Sequence, residues 1–310
     1  RVARRPLCGC AVLAPSIRTA ARLATPLGLC PPPPPHAHRT LTAQQAPLRP
    51  LRPAWRCYDR AISWACGGNT APWKVTWDAK TVFQIMVLWQ ITFWLVGSQL
   101  MPWLAGLCGA NRADLGMRGQ ALYSLATDVA EMLAGLGILA LKLRQFRPLP
   151  SGWFPWRLRG AWASEALVCV ALFPFVSFLS RLNQDLLPYD AAWGAAAGAQ
   201  AAGLEAPLAS RDTFANALYV GVVSVCAPVW EECLFRGFLL ASLTGFMPTS
   251  AAVLVAGVLF AGAHFSAARL LPLTFLGIGL GAIFVRTRNL ASCVLLHSLW
   301  NATVFLELLV

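Results

Sequence analysis

The chain has 310 residues, 57% of them hydrophobic and only 12% charged, with a mean hydropathy of +0.57. Soluble domains carry about a quarter charged residues, so this composition excludes an ordinary soluble fold and points to lipid around much of the surface. The formal net charge of +12 does not mark a nucleic-acid interface, because residues 1–60 hold ten arginines against one acid, Asp59, and no basic stripe remains elsewhere.

Residues 1–60 are rich in Arg, Ala, Pro and Leu, and Pro31–Pro35 can neither be helical nor join a sheet. This is the composition of an organelle transit peptide, with a disordered basic tail as the plainer reading. The segment is expected to be disordered and is set apart from the fold, and residues 61–80 read as a linker. From residue 81 to 310 the expectation is an all-α, polytopic membrane helix bundle. Thr81–Asn111 is free of charge, longer than the roughly 20 residues a bilayer core requires. Further apolar runs cover about 120–141, 162–180, 213–243, 250–268, 270–285 and 290–309. The count is seven transmembrane helices; the short joints near 245 and 269 leave six or eight open. Seven spans put Lys74 and Lys80, the basic loop 142–160 and the pair Arg286 and Arg288 on one face. The acidic loop 181–212 then falls on the other, as the positive-inside rule expects. Ten cysteines without CxxC or Cys/His spacing carry no functional signal.

Ionisable groups at bilayer depth are costly and mark function by default; here they concentrate in 213–310. In the run Ala227-Pro228-Val229-Trp230-Glu231-Glu232-Cys233-Leu234-Phe235-Arg236, Glu232 and Arg236 are i,i+4 neighbours and can pair. Glu231 lies about 100° round the axis without that partner, free to hold a proton or activate water. Pro228 removes a backbone hydrogen bond one turn earlier. The only histidines beyond the leader are His264, four residues after Phe260, and His297, four before Asn301. His297 and Asn301 share a helix face and offer two donors to one point. Asp128 and Glu131 in the second span either face a cavity or pair with Arg118, and no site is made of them. Gly277, Gly279 and Gly281 are read as permitting close helix approach.

Glu231-Glu232-x-x-x-Arg236, then Phe260-x-x-x-His264, then His297-x-x-x-Asn301, on three successive polar-bearing helices, resembles the CAAX prenyl protease and bacteriocin-processing (CPBP, or Abi) family of membrane endopeptidases. The resemblance covers about Ala227 to Asn301, and the leader and the ending at His297–Asn301 look most like plastid members. It implies an enzyme in which Glu231 and His264 activate a water, His297 and Asn301 donate to the oxyanion, Glu232 and Arg236 support them, and Phe260 packs beside His264. A metal-free glutamate mechanism is the favoured version; zinc on Glu231, His264 and His297 is the alternative. The partners implied are membrane lipid and a protein or peptide substrate, with no nucleic acid. The location implied is a plastid membrane, thylakoid or inner envelope. Two other readings are a non-catalytic scaffold that stabilises membrane-protein partners and a transporter, the latter lacking any internal repeat or broken-helix pair.

Overall fold

In the computed structural model the described residues are 53–157, parts of 163–186, and 212–307. Most of the leader, part of the third expected span and the loop 187–211 fall outside them. The described chain is helical, with no strand among the described residues. Its elements are α1 (Pro53–Ala65), α2 (Ala79–Leu107), α3 (Met117–Phe146), α4 (Phe173–Leu186), α5 (Thr213–Leu243), α6 (Thr249–Gly262), α7 (Leu270–Thr287) and α8 (Leu290–Glu307). By length and composition α2, α3, α5 and α7 are able to cross a membrane, and α6 and α8 are shorter apolar helices. The chain is a multi-pass membrane protein with an all-α bundle.

Polar caps start α2 and α5. Asp78 accepts from the Thr81 amide at 2.8 Å and from the Thr81 hydroxyl at 2.7 Å, which hold its carboxyl below the usual range. Asp212 accepts from Phe214 and Ala215 amides at 3.0 and 3.1 Å and from Arg118 Nε at 2.7 Å. Its carboxyl is pulled down by the Ala215 amide first and Arg118 next. Arg118 therefore serves Asp212, not Asp128 or Glu131.

Two prolines shape the interior of the spans. Pro102 in α2 and Pro228 in α5 each follow a five-residue π turn, Val96–Leu100 and Val222–Cys226. A proline lacks the N–H for the helical ladder and its ring clashes with the carbonyl four residues back; the wider π turn gives that carbonyl room. A second π stretch in α5, Cys233–Leu240, lies wholly in the core.

The expected linker 61–80 is structural instead. α1 runs through residue 60, Ile62 and Cys66 are buried, and Tyr58 donates to the Ser250 carbonyl at 3.1 Å. Trp73 stacks on Phe284 at 5.2 Å, while Trp77 donates to Ser242 Oγ at 3.0 Å. Two tryptophans in a short segment supply the apolar area that a free linker lacks.

The basic segments share one end of the bundle. Asn289 accepts from the Arg157 amide at 2.9 Å and donates to its carbonyl at 2.8 Å. Trp153 Nε1 donates to the Lys74 carbonyl at 3.2 Å, and Asn69 to that of Val285 at 3.1 Å. The Arg118–Asp212 pair, at the starts of α3 and α5, marks the opposite end.

α6 and α7 form the tightest crossing. A Cβ on Gly277 would fall 2.7 Å from the Gly257 Cα and 2.8 Å from its carbonyl oxygen, whereas one on Gly279 would meet nothing within 4 Å. Of the three glycines read as approach points, Gly277 makes the backbone contact, Gly281 faces Val253, and Gly279 makes none. Gly277→Ala is expected to force the helices apart and cost about 1–3 kcal/mol, with Gly279→Ala near neutral. Thermal melting of both variants checks this; equal melting temperatures would remove the close crossing from the account.

Candidate active site

Glu231 and Glu232 stand at the end of the α-helical turn Ala227–Glu232, between the two π stretches of α5. Glu232 is fully buried. Its Oε1 accepts from Arg236 Nη1 at 2.9 Å, the i,i+4 pair expected, and also from His297 Nδ1 at 2.8 Å. Arg236 is 1% exposed; its Nη2 donates to the Gly277 carbonyl at 3.2 Å and its guanidinium lies 4.4 Å over the Phe260 ring. Thus the Gly257–Gly277 crossing also places the carbonyl that holds this arginine.

His264 does not lie within α6. The helix ends at Gly262 and the chain turns through Phe265, whose φ of 47° is left-handed. The expected run to residue 268 is cut short here, and the consequence is chemical. Helix ends leave carbonyls without amide partners, and His264 Nδ1 takes the Phe260 carbonyl at 2.8 Å. A carbonyl only accepts, so Nδ1 carries hydrogen and the neutral ring presents a bare Nε2. Phe260 also packs edge-on to His264 at 4.9 Å and to His297 at 5.7 Å.

His297 bridges the two glutamates. Its Nδ1 donates to Glu232, and its Nε2 lies 3.9 Å from Glu231 Oε2, which is buried and makes no hydrogen bond. Asn301, one turn on, donates from Nδ2 to the Val223 carbonyl at 2.6 Å, a carbonyl within the π turn ahead of Pro228. Glu231, His264, His297 and Asn301 all line one cavity of about 310 Å³, walled also by Val176 and Ser180 of α4 and by Pro272 and Leu273 of α7. The second half of α8 lines it too, so it lies in the half of the bundle away from the basic loops.

The spacing of the motifs contains neither the Glu232–His297 bond nor the Asn301–Val223 bond; both depend on how α8 lies against α5. Pro228 was the available signal for an irregular Val223 carbonyl. As for zinc, both imidazoles have Nδ1 hydrogen-bonded and Nε2 free, the polarity of a metal-bound histidine. Among the described residues, however, no group of three or more His, Cys, Asp or Glu side chains is arranged to hold a metal ion. The alternative ligand set Glu231, His264 and His297 borders one cavity.

Residues 213–303 match a family model described as Type II CAAX prenyl endopeptidase Rce1-like. The matched segment starts with α5, contains all three motifs and reaches into α8. No curated protein and no solved structure matches the chain. Through this segment, less than a third of its length, the chain is similar to the CAAX prenyl protease and bacteriocin-processing family.

Proposed function

We propose that the chain is an intramembrane endopeptidase that hydrolyses a peptide bond within or beside the membrane, using water held between Glu231 and His264. The convergence of Glu231, His264, His297 and Asn301 on one cavity carries this reading. Glu231 lacks a hydrogen bond of its own and sits 3.9 Å from His297 Nε2, so its carboxylate is available to take a proton from water. His264 Nε2, bare because Nδ1 is tied to Phe260, accepts the second hydrogen of that water and orients its lone pair towards the carbonyl carbon.

His297 has a single way to act as an oxyanion donor. With Nδ1 committed to Glu232, Nε2 donates only when the ring is an imidazolium. Glu231 and Glu232 as carboxylates, with Arg236 and the imidazolium, then sum to zero charge, the arrangement that a low-dielectric site tolerates. Asn301 keeps one amide hydrogen beyond that given to Val223, and with His297 it faces the developing oxyanion. When the tetrahedral intermediate collapses, Glu231 returns its proton to the leaving amine.

The substrate class is a protein or peptide presented from the membrane, and the protein requires no cofactor in this scheme. Purified protein in liposomes is expected to cleave a membrane-anchored peptide, with cleavage unchanged by a zinc chelator. Cleavage lost with the chelator and restored by zinc would replace this scheme with the metal version. An intact cavity with no cleavage of any peptide would favour a scaffold for membrane-protein partners. The basic, acid-poor leader further supports a plastid membrane, thylakoid or inner envelope, as the site of action. A reporter fused to residues 1–60 is expected to enter plastids; retention in the cytosol or import into mitochondria would overturn the assignment.

A further inference from the structure

Glu231 makes no hydrogen bond that would aim its carboxyl, so its direction is inherited from the helix turn that carries it. The preceding residue, Trp230, anchors that turn. It is 5% exposed, and its ring meets Trp89 at 5.7 Å and Phe93 at 5.6 Å, both on α2. Its indole Nε1 is nevertheless buried without a hydrogen bond. On α3, Asp128 is 9% exposed and its Oδ2 is likewise buried and unsatisfied. The two groups interact with each other, short of hydrogen-bond geometry in this structure. Asp128 also interacts electrostatically with Glu231 and with Cys226, one turn before it. Neither Asp128 nor Trp230 lines the cavity, so neither touches what the cavity holds. Glu131, one turn further along α3, is engaged elsewhere: its Oε1 lies so close over α2 that a Cβ on Gly97 would stand 2.6 Å from it.

An indole N–H can only donate and a carboxylate can only accept. A buried donor and a buried acceptor on facing helices lose most when they stay apart. We propose that Asp128 is a positioning residue that clamps the Trp230 indole between α3 and α5 and so aims the Glu231 carboxyl into the cavity. The catalytic part of this inference rests on the peptidase reading above; the clamp itself does not.

The test compares Asp128→Ala, Asp128→Asn, Trp230→Phe and the double variant Asp128→Ala/Trp230→Phe with wild type and Glu231→Gln. Full chains are reconstituted in liposomes with a quenched fluorogenic peptide of membrane-spanning length as the probe. Each of Asp128→Ala and Trp230→Phe is expected to lower kcat about tenfold with KM unchanged, since misplacement of a catalytic group acts on the chemical step. The double variant should fall no further than the worse single, because both remove one contact. Asp128→Asn keeps an acceptor oxygen and should recover kcat to within about twofold of wild type. Additive losses overturn the clamp, as does an Asp128→Asn variant as impaired as Asp128→Ala. Thermal melting of the same set reads the contact without substrate, and there additive shifts refute the clamp whether or not the probe is cleaved. If wild type and Glu231→Gln treat the probe alike, the peptidase reading fails while melting still decides the clamp.

Discussion

Glu231→Gln is expected to lower peptide cleavage by about 10²–10⁴-fold, the usual contribution of a general base, while the protein stays folded in the membrane. Gln keeps the size of Glu and its capacity to hydrogen-bond water, but cannot take up the proton. The substitution breaks no hydrogen bond seen in the structure, because Glu231 Oε2 has none. It also removes the carboxylate nearest His297 Nε2, at 3.9 Å, so the charge balance of the cluster changes as well as the base. Cleavage of a membrane-anchored peptide by wild type and variant at matched amounts of folded protein measures the effect. A variant that keeps full activity, or that complements loss of the protein in every respect, would displace the base assignment and favour a scaffold. His264→Ala addresses the other side of the water and belongs in the same assay.

Arg236→Met should produce the larger loss of stability. Arg236 is 1% exposed and Glu232 is fully buried, so the variant leaves a carboxylate at bilayer depth with His297 as its one remaining partner. Removing one partner of a buried ion pair costs about 3–5 kcal/mol, chiefly because the survivor is left uncompensated. The Gly277 carbonyl loses its donor and Phe260 loses the cation over its ring, which adds to the cost. Melting temperature in detergent or liposomes reports the result. The double variant Arg236→Met/Glu232→Gln removes the stranded charge and should recover part of the loss. An Arg236→Met protein that melts like wild type would show that Glu232 does not depend on the arginine, and the support role given to this pair would fall.

Sequence alone determined what depends on local spacing and on composition. Long apolar runs implied a multi-pass helical bundle, and among the described residues four helices are long and apolar enough to cross a membrane. The i,i+4 pair Glu232–Arg236 forms at 2.9 Å because neighbours one turn apart face the same way wherever the helix lies. Pro228 likewise announced the irregular turn before it. Packing decided the rest. Residues 61–80 read as a linker between the leader and the first apolar run, yet Trp73 and Trp77 find cover against the ends of α5 and α7. The apolar run 250–268 places His264 on a helix; the end of α6 at Gly262 frees the Phe260 carbonyl that sets its tautomer. His297 reaches Glu232 across 65 residues of chain. Periodicity says which residues share a face of one helix. Which faces meet depends on how side chains and glycines let whole helices approach. A contact such as that between Gly257 and Gly277 therefore exists only once the bundle has formed.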